Sequence, residues 1–377
     1  MNIDDVSNMW DLTATAKMLQ ELTANNRLWH QFGVTRVANV TGLDRIGIPV
    51  YNAIRPNSKS LSISQGKGIT TDLAKISAIM ETIELWHAEN IVGYDLRGCY
   101  TDLCMTQAVI DPIFFTDQID ILTTQLEWLA STDLITEQTV YLPKKLISLD
   151  TTQLDSVARS FMPSSNGLAS GSSREQAMCH GLYELIERDA LSRWFELEDI
   201  QQDAQLLMLD TIESTIVKDL LLKITNASLN IYLWDIRTNV KAPTYYCVIT
   251  DIQELPHTLF TGSGTHLISE MALIRAIIEA AQARLTFISG SRDDIFPEFY
   301  QEFDPTELVK ALQNTRPVKV YQHETISQPG NFLAMQQQLI SLLKETGVTR
   351  LYAFEHQQPQ INIPVVRLIS PDLRNDN

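Results

Sequence analysis

Three stretches of the chain repeat one arrangement of small and acidic residues. Ala74, Ala78, Glu81 and Glu84 are spaced 4, 3 and 3 apart, as are Ala177, Gly181, Glu184 and Glu187, and again Ala272, Ala276, Glu279 and Gln282. On a helix these offsets fall on one face, so each helix carries a stripe that is small at one end and carboxylate or carboxamide at the other. Small residues permit close packing, which partly buries the acidic ends. Buried carboxylates lose hydration and repel one another, so they call for a cation between them. A single Glu-x-x-Glu on a helix is most often a solvated face. Three aligned copies point instead to one shared site.

Glycines precede two of the repeats at matching distance: Gly68 lies thirteen residues before Glu81, and Gly171 thirteen before Glu184. The stretches Ser64-Gln65-Gly66-Lys67-Gly68 and Asn166-Gly167-Leu168-Ala169-Ser170-Gly171 read as flexible loops entering helices, where outward N–H groups suit anions. Neither is a Walker A loop, since Leu61 and Gly68 stand where that motif needs Gly and Ser/Thr. Four glutamates for a hard cation, glycine loops for phosphates, and Lys67, Arg188 and Arg284 as fixed positive charges together describe a nucleotide–Mg²⁺ site between three helices. Ser77, four before Glu81, is placed either to touch a phosphate or to cap locally. His87 and His180 read as packing or surface histidines, and Trp86, Trp128, Trp194 and Trp234 as core or interface residues.

The elements that must hold such a site are long helices at about Thr71–Glu89, Arg174–Glu198 and Ser269–Ile288, with another near 205–224. Strands are expected at 229–236, 243–250, 350–355 and 363–370, with short β-rich runs between Thr35 and Ile63. Residues 1–33 read as an amphipathic helical lead-in, and 92–160 as irregular or edge structure with a strand near Val140-Tyr141-Leu142. Helices interleaved with antiparallel strands make the class α+β. With 377 residues, 44% hydrophobic and 20% charged, the chain can bury a large core and is neither disordered nor coiled coil. Twenty-nine basic against 46 acidic residues, a net charge of −17, argue against nucleic-acid binding. No apolar run is long enough for a membrane span and no signal peptide is evident, so a soluble cytoplasmic protein is expected. Cys99, Cys104, Cys179 and Cys247 are too scattered for a disulfide scaffold, and Cys99-x₄-Cys104 is a poor zinc half-site.

In combination, Ser64-Gln65-Gly66-Lys67-Gly68, Ser77-Ala78-x-x-Glu81-x-x-Glu84, Asn166-Gly167-Leu168-Ala169, Gly181-Leu182-x-Glu184-x-x-Glu187-Arg188-Asp189-Ala190, Glu279-Ala280-x-Gln282-x-Arg284 and Gly290-x-Arg292-Asp293-Asp294 resemble the YcaO family. The resemblance runs from about Val34 to Leu368. It implies an α+β YcaO domain over 34–370 with a short tail at 371–377, and an ATP–Mg²⁺ site between helices. It implies too an enzyme that uses ATP to phosphorylate the oxygen of a peptide backbone amide, so that the oxygen leaves as phosphate after a nucleophile has added. By the same resemblance, Glu81, Glu84, Glu184 and Glu187 are the Mg²⁺ ligands, and Lys67, Ser77, Asn166, Arg188, Gln282 and Arg284 contact the nucleotide.

Two departures shift the expected chemistry. Leu85 stands where the family usually has Arg, and the tail after Ile369 is not the proline-rich one of azoline-forming members. This favours a thioamide-forming or other non-azoline enzyme acting on a ribosomally made peptide or protein. The alternatives are an azoline-forming cyclodehydratase with a separate partner, an accessory factor for ribosomal-protein methylthiolation, and a non-catalytic ATP-binding scaffold. Nothing before Val34 is large enough for a peptide-recognition domain, so a partner protein for substrate recognition or sulfur delivery is expected, as is a homodimer.

Overall fold

The computed structural model describes residues 17, 20, 22, 26–152, 160–251, 259–293, 306–326, 331–357 and 363–374. Most of the lead-in expected over 1–33 therefore lies outside the described residues, as do 375–377 of the tail. In chain order run α1 (Asn26–Gln31), β1 (Arg36–Asn39), β2 (Val50–Ile54), β3 (Ile63–Lys67), α2 (Thr71–Glu89), β4 (Leu96–Gly98), β5 (Leu126–Asp133), β6 (Thr139–Pro143), β7 (Leu168–Ser170) and α3 (Arg174–Phe195). Then come β8 (Leu207–Met208), α4 (Thr215–Asn226), β9 (Asn230–Asp235), β10 (Thr244–Thr250), β11 (Leu259–Thr265) and α5 (Ser269–Ser289). The chain continues through α6 (Thr306–Asn314), β12 (Lys319–Val320), α7 (Phe332–Glu345), β13 (Tyr352–His356) and β14 (Val365–Ile369). Two antiparallel sheets have three strands each, β1-β2-β3 and β9-β10-β11. A six-stranded antiparallel sheet runs β4-β5-β13-β14-β7, with β6 also pairing β5. The fold is α+β, as the sequence predicts.

The three acidic helices each follow a strand on which they pack, and glycines make the contact close. A Cβ on Gly66 in β3 would lie 2.0 Å from Ala78 N and 2.1 Å from Ala74 O. A Cβ on Gly264 in β11 would lie 2.2 Å from Ala272 O and 2.6 Å from Ala276 N. Each glycine is fifteen residues before the first acidic residue of its repeat, Glu81 or Glu279. Gly68 and Gly171 form a second matched pair, each leaving room only 2.6 Å from the backbone N of Ala74 or Ala177. The repeat is thus a strand–helix unit in which helix alanines seat on glycines in the strand or in the turn that follows it. These glycines are packing devices, and Ser64–Lys67, read from sequence as a flexible anion loop, is extended within β3 and its sheet.

Caps set the helix starts. Thr70 accepts from Leu73 N and Ser173 from Gln176 N, while Gly290, with φ 55°, ends α5 in the left-handed region. The helix expected over 205–224 starts later. Leu207–Met208 pairs in parallel with Lys319–Val320, a distant segment that local periodicity does not reveal, and α4 begins after the Ser214 cap. Residues 92–160 are more regular than expected, because β5 bridges β4, β6 and β13. Its neighbours Trp128 and Leu129 are both buried, so both faces are covered there and the polar alternation that marks a strand is erased.

On the back of α5, Arg284 is a fold anchor. It is 2% exposed and pairs with Asp44 at 3.0 Å and Asp251 at 2.9 Å; Arg45 reaches the same Asp251 at 3.0 Å. Removing one partner leaves buried charge uncompensated, so Arg284→Met is expected to lower stability to chemical denaturation by about 3–5 kcal/mol. A change below about 1 kcal/mol would remove Arg284 from this role. For the seam, Gly66→Ala is expected to cost about 1–3 kcal/mol by overpacking backbone against backbone. The control Gly42→Ala, with nothing within 4 Å of the added carbon, should stay near neutral in the same assay. Equal effects at the two positions would contradict the close-seam account.

Candidate functional site

α2, α3 and α5 converge on a cavity of about 870 Å³. Its wall includes Glu81 and Glu84 from α2, Glu184, Glu187 and Arg188 from α3, and Arg275, Glu279 and Gln282 from α5. Lys67, at the end of β3, and Arg292, just beyond the cap of α5, add positive charge. The four expected metal-ligating glutamates therefore meet in one place, together with Lys67, Ser77, Arg188 and Gln282. Two expected nucleotide contacts do not line it. Arg284 faces the opposite side of α5 in the ion pairs above. Asn166 is buried next to the lining residue Ser165 without lining the cavity itself, its side-chain oxygen without a hydrogen-bond partner among the described residues.

The carboxylates are held by hydrogen bonds from other elements. Ser170, at the end of β7, donates its backbone N–H (2.8 Å) and hydroxyl (2.5 Å) to the same oxygen of Glu84. Gly167 N–H donates to Glu184 at 3.1 Å, and Arg188 lies 3.8 Å from that carboxylate. Glu187 accepts from the Ser263 hydroxyl (2.7 Å) and the Thr265 N–H (3.0 Å), both on β11. Glu279 is ion-paired with Lys67, which ties α5 to β3 across the cavity. The Gln282 side chain donates to Gln65 O at 2.9 Å and closes the same junction.

Crowding these acids around one cavity changes their proton affinity. Burial, opposed by Arg292 and Lys67, pushes Glu81 up to about 7. Burial, with Glu81 and Glu184 nearby, pushes Glu84 up to about 8. Glu184 and Glu187 are likewise raised by burial, with Glu187 and Glu279 respectively adding repulsion. Burial also acts to raise Glu279, but Lys67 and Arg188 outweigh it and hold that carboxyl below its ordinary value. A hard cation is what such a set lacks: the donors are all oxygens, they repel, and their raised proton affinity shows that uncompensated negative charge is disfavoured here. Among the described residues, no three His, Cys, Asp or Glu side chains are grouped closely enough to hold a metal alone. The acids line a cavity, an arrangement that suits Mg²⁺ taking part of its coordination from phosphate oxygens and water.

Sequence reasoning placed Glu279 on the third stripe without giving it a ligand role, quoted Arg292 only within a motif, and left out Arg275. Arg275 was legible: it lies four before Glu279 and seven before Gln282, on the same helical stripe. Leu85, at the position where the resemblance expects Arg, is 5% exposed and packs with Ile83, Leu168 and Val365 while touching the cavity.

Comparison with known proteins bears on this site. The chain is 32% identical over 368 residues to a protein from the tfuA 3′ region of Rhizobium leguminosarum bv. trifolii, covering 92% of this chain and 84% of that one. It is 32% identical over 352 residues to a Methanothermobacter thermautotrophicus protein, covering 90% of each. The fold matches YcaO from Methanopyrus kandleri bound with AMPPCP and Mg²⁺ (TM-score 0.75, 21% identity, 96% of this chain and 91% of that one). It also matches the Escherichia coli microcin synthetase McbBCD complex with pro-MccB17 bound (TM-score 0.67, 15% identity, 89% and 88%) and a heterocyclase in complex with substrate and cofactor (TM-score 0.73, 18% identity, 91% and 50%). These structural likenesses establish the fold. Residues 65–374, which contain every cavity-lining residue named above, match the family model described as "YcaO cyclodehydratase, ATP-ad Mg2+-binding", and the chain belongs to the YcaO family.

Proposed function

We propose that this protein binds ATP with Mg²⁺ in the cavity between α2, α3 and α5 and uses it to activate a backbone amide of a ribosomally made peptide or protein. The carrying observation is the convergence of five carboxylates and four cationic side chains, Lys67, Arg188, Arg275 and Arg292, on one cavity. Glu81, Glu84, Glu184 and Glu187 would hold Mg²⁺, which supplies charge neutralisation for the phosphates. Lys67, Ser77, Arg188 and Gln282, with Arg275 and Arg292, are the groups in reach of the nucleotide. The chain's own contribution is positioning and fixed charge. An amide oxygen is a poor leaving group, and phosphorylation makes it a good one.

The reading favours a thioamide or other non-azoline product. Residues 372–374 support it: the Arg374 N–H donates to Asp189 at 3.0 Å and its guanidinium pairs with Glu196. Asp189 lies about 140° around α3 from Glu184 and Glu196 caps the end of that helix, and neither acid lines the cavity. The heterocyclase and McbBCD likenesses favour the azoline alternative and a multi-protein assembly. A partner is part of the proposal, and the Rhizobium relative's position beside tfuA makes a neighbouring gene product the first candidate. The test is Mg²⁺-dependent ATP hydrolysis with and without the co-encoded peptide, with mass spectrometry of the product. Oxygen-to-sulfur exchange supports the thioamide reading, and loss of water supports the azoline one. No stimulation and no product would leave a scaffold. A homodimer is also proposed, and a monomer by light scattering would refute it.

Glu84→Gln isolates the metal role, because one amide oxygen can still accept both Ser170 bonds. Mg²⁺–AMPPCP affinity is expected to fall by more than the ~10–100-fold typical of losing an outer-shell partner. Stability without ligand should be unchanged or higher, since a repelling charge is gone. Unchanged affinity by calorimetry would remove Glu84 from the site.

The raised carboxyls also give a pH signature. Groups whose folded value lies above the unfolded one bind more protons when folded, so their contribution is full below about pH 4.5 and is lost as pH rises through about 7 and 8. The ligand-free protein should therefore lose melting temperature between about pH 5 and 8. Mg²⁺–AMPPCP should raise the melting temperature more at pH 8 than at pH 6, because protons no longer compete for the carboxylates. Equal ligand shifts at both pH values would contradict the assignment.

A further inference from the structure

The same cavity is also walled by residues that the nucleotide assignment does not use: Cys179, His180, Tyr183, His266, Met271 and Phe332. Arg275 lies close enough to His180 and His266 to act on both rings electrostatically. His180, read from sequence as a packing or surface residue, is only partly buried and faces this space. Its Nδ1 lies 3.1 Å from Ser170 O. A carbonyl only accepts, so Nδ1 carries the proton and Nε2 carries the lone pair. His266 is in the opposite tautomer: its Nδ1 accepts from Ile268 N–H at 3.0 Å, which leaves Nε2–H as a donor. Its ring lies against Tyr183, centroids 4.7 Å apart. Ser170 is the residue whose N–H and hydroxyl hold Glu84, so one residue fixes both a metal-side carboxylate and this imidazole.

We propose that the His180 imidazole is the proton acceptor of the amide-modifying reaction, at an amide-binding part of the cavity walled by Tyr183, His266, Met271, Arg275 and Phe332. The proposal rests on the function proposed above. With hydrosulfide as nucleophile, a sulfur lone pair bonds to the amide carbon and the carbonyl π pair moves to oxygen. That oxygen takes the γ-phosphoryl group, and ADP leaves with the bridging pair. As the C–O bond breaks and phosphate departs with its pair, the S–H bonding pair becomes the C=S π bond and its proton passes to Nε2. The imidazolium then returns the proton to solvent. His266 Nε2–H and the Arg275 guanidinium are donors beside the oxygen that gains charge. Burial and the nearby Arg275 push His180 down to about 4, so the ring is neutral at neutral pH and its Nε2 lone pair is free. Phosphate oxygens paired with Arg275 would relieve the Arg275 part of that lowering and strengthen the base.

His180→Asn separates this role from a structural one. The asparagine amide can keep the donor to Ser170 O, and it removes the accepting ring nitrogen. The purified variant should keep its melting temperature and bind Mg²⁺–AMPPCP within about threefold of wild type. In the native host, replacing the gene with the variant should reduce the mass-shifted peptide made by the wild-type strain by about 10²-fold or more. Undiminished peptide would overturn the proposal, as would loss of nucleotide binding together with product, which would make His180 a support of the nucleotide site. If the wild-type strain makes no mass-shifted peptide, the functional reading falls and takes this inference with it. A peptide abolished by Glu84→Gln but untouched by His180→Asn would leave that reading standing and remove His180 alone.

Discussion

Mutual repulsion among carboxylates crowded on one cavity wall is the constraint on which the rest of the structure depends. Glu81, Glu84, Glu184, Glu187 and Glu279 share one cavity with their proton affinities driven apart, four raised and one lowered. Left to relax, such groups would separate. They are kept together because α2 and α5 are seated on their preceding strands by contacts too close for a side chain at Gly66 or Gly264, and α3 packs closely against Gly171, just after β7. The seams hold the helices, and the helices hold the charges where only a cation can reconcile them.

The hydrogen bonds follow the same logic across units. β7 holds Glu84 of α2 and His180 of α3, β11 holds Glu187 of α3, and β3 reaches α5 through Lys67 and Gln65. Each acidic helix is thus braced by a strand belonging to another repeat. The three units therefore act as one site, and loosening a single strand would disturb charges on its neighbour. Lys67 illustrates the economy of the arrangement: its pairing with Glu279 offsets one negative charge and leaves the other four carboxylates to the ligand.

Much of this was legible in the sequence, because helical spacing is arithmetic. The stripes put Glu81, Glu84, Glu184 and Glu187 on inward faces, and that is where they lie. The same arithmetic sets Arg284 about 140° around α5 from Glu279 and Arg275 only about 40° away. The Gln282-x-Arg284 motif drew attention to an arginine that lies off the cavity wall, while the helical wheel favoured Arg275, which lines it. The glycines were misread for a different reason. Composition alone cannot tell a glycine that frees a loop from one that admits a helix, and only the strand partners of β3 separate the two. β5 escaped notice because burial on both faces removes the alternation of Trp128 and Leu129 from their surroundings. The role proposed for His180 is not legible in sequence, because its tautomer is set by Ser170 O, a partner ten residues away on a strand.

Anomalous scattering from a crystal grown with Mn²⁺ and AMPPCP tests the central claim most directly, since Mn²⁺ accepts the same oxygen donors as Mg²⁺. The account predicts a peak inside the cavity about 2 Å from carboxylate oxygens of at least two of Glu81, Glu84, Glu184 and Glu187, with the nucleotide phosphates completing its coordination. A nucleotide bound with its metal outside this cavity, touching none of those four side chains, would contradict it.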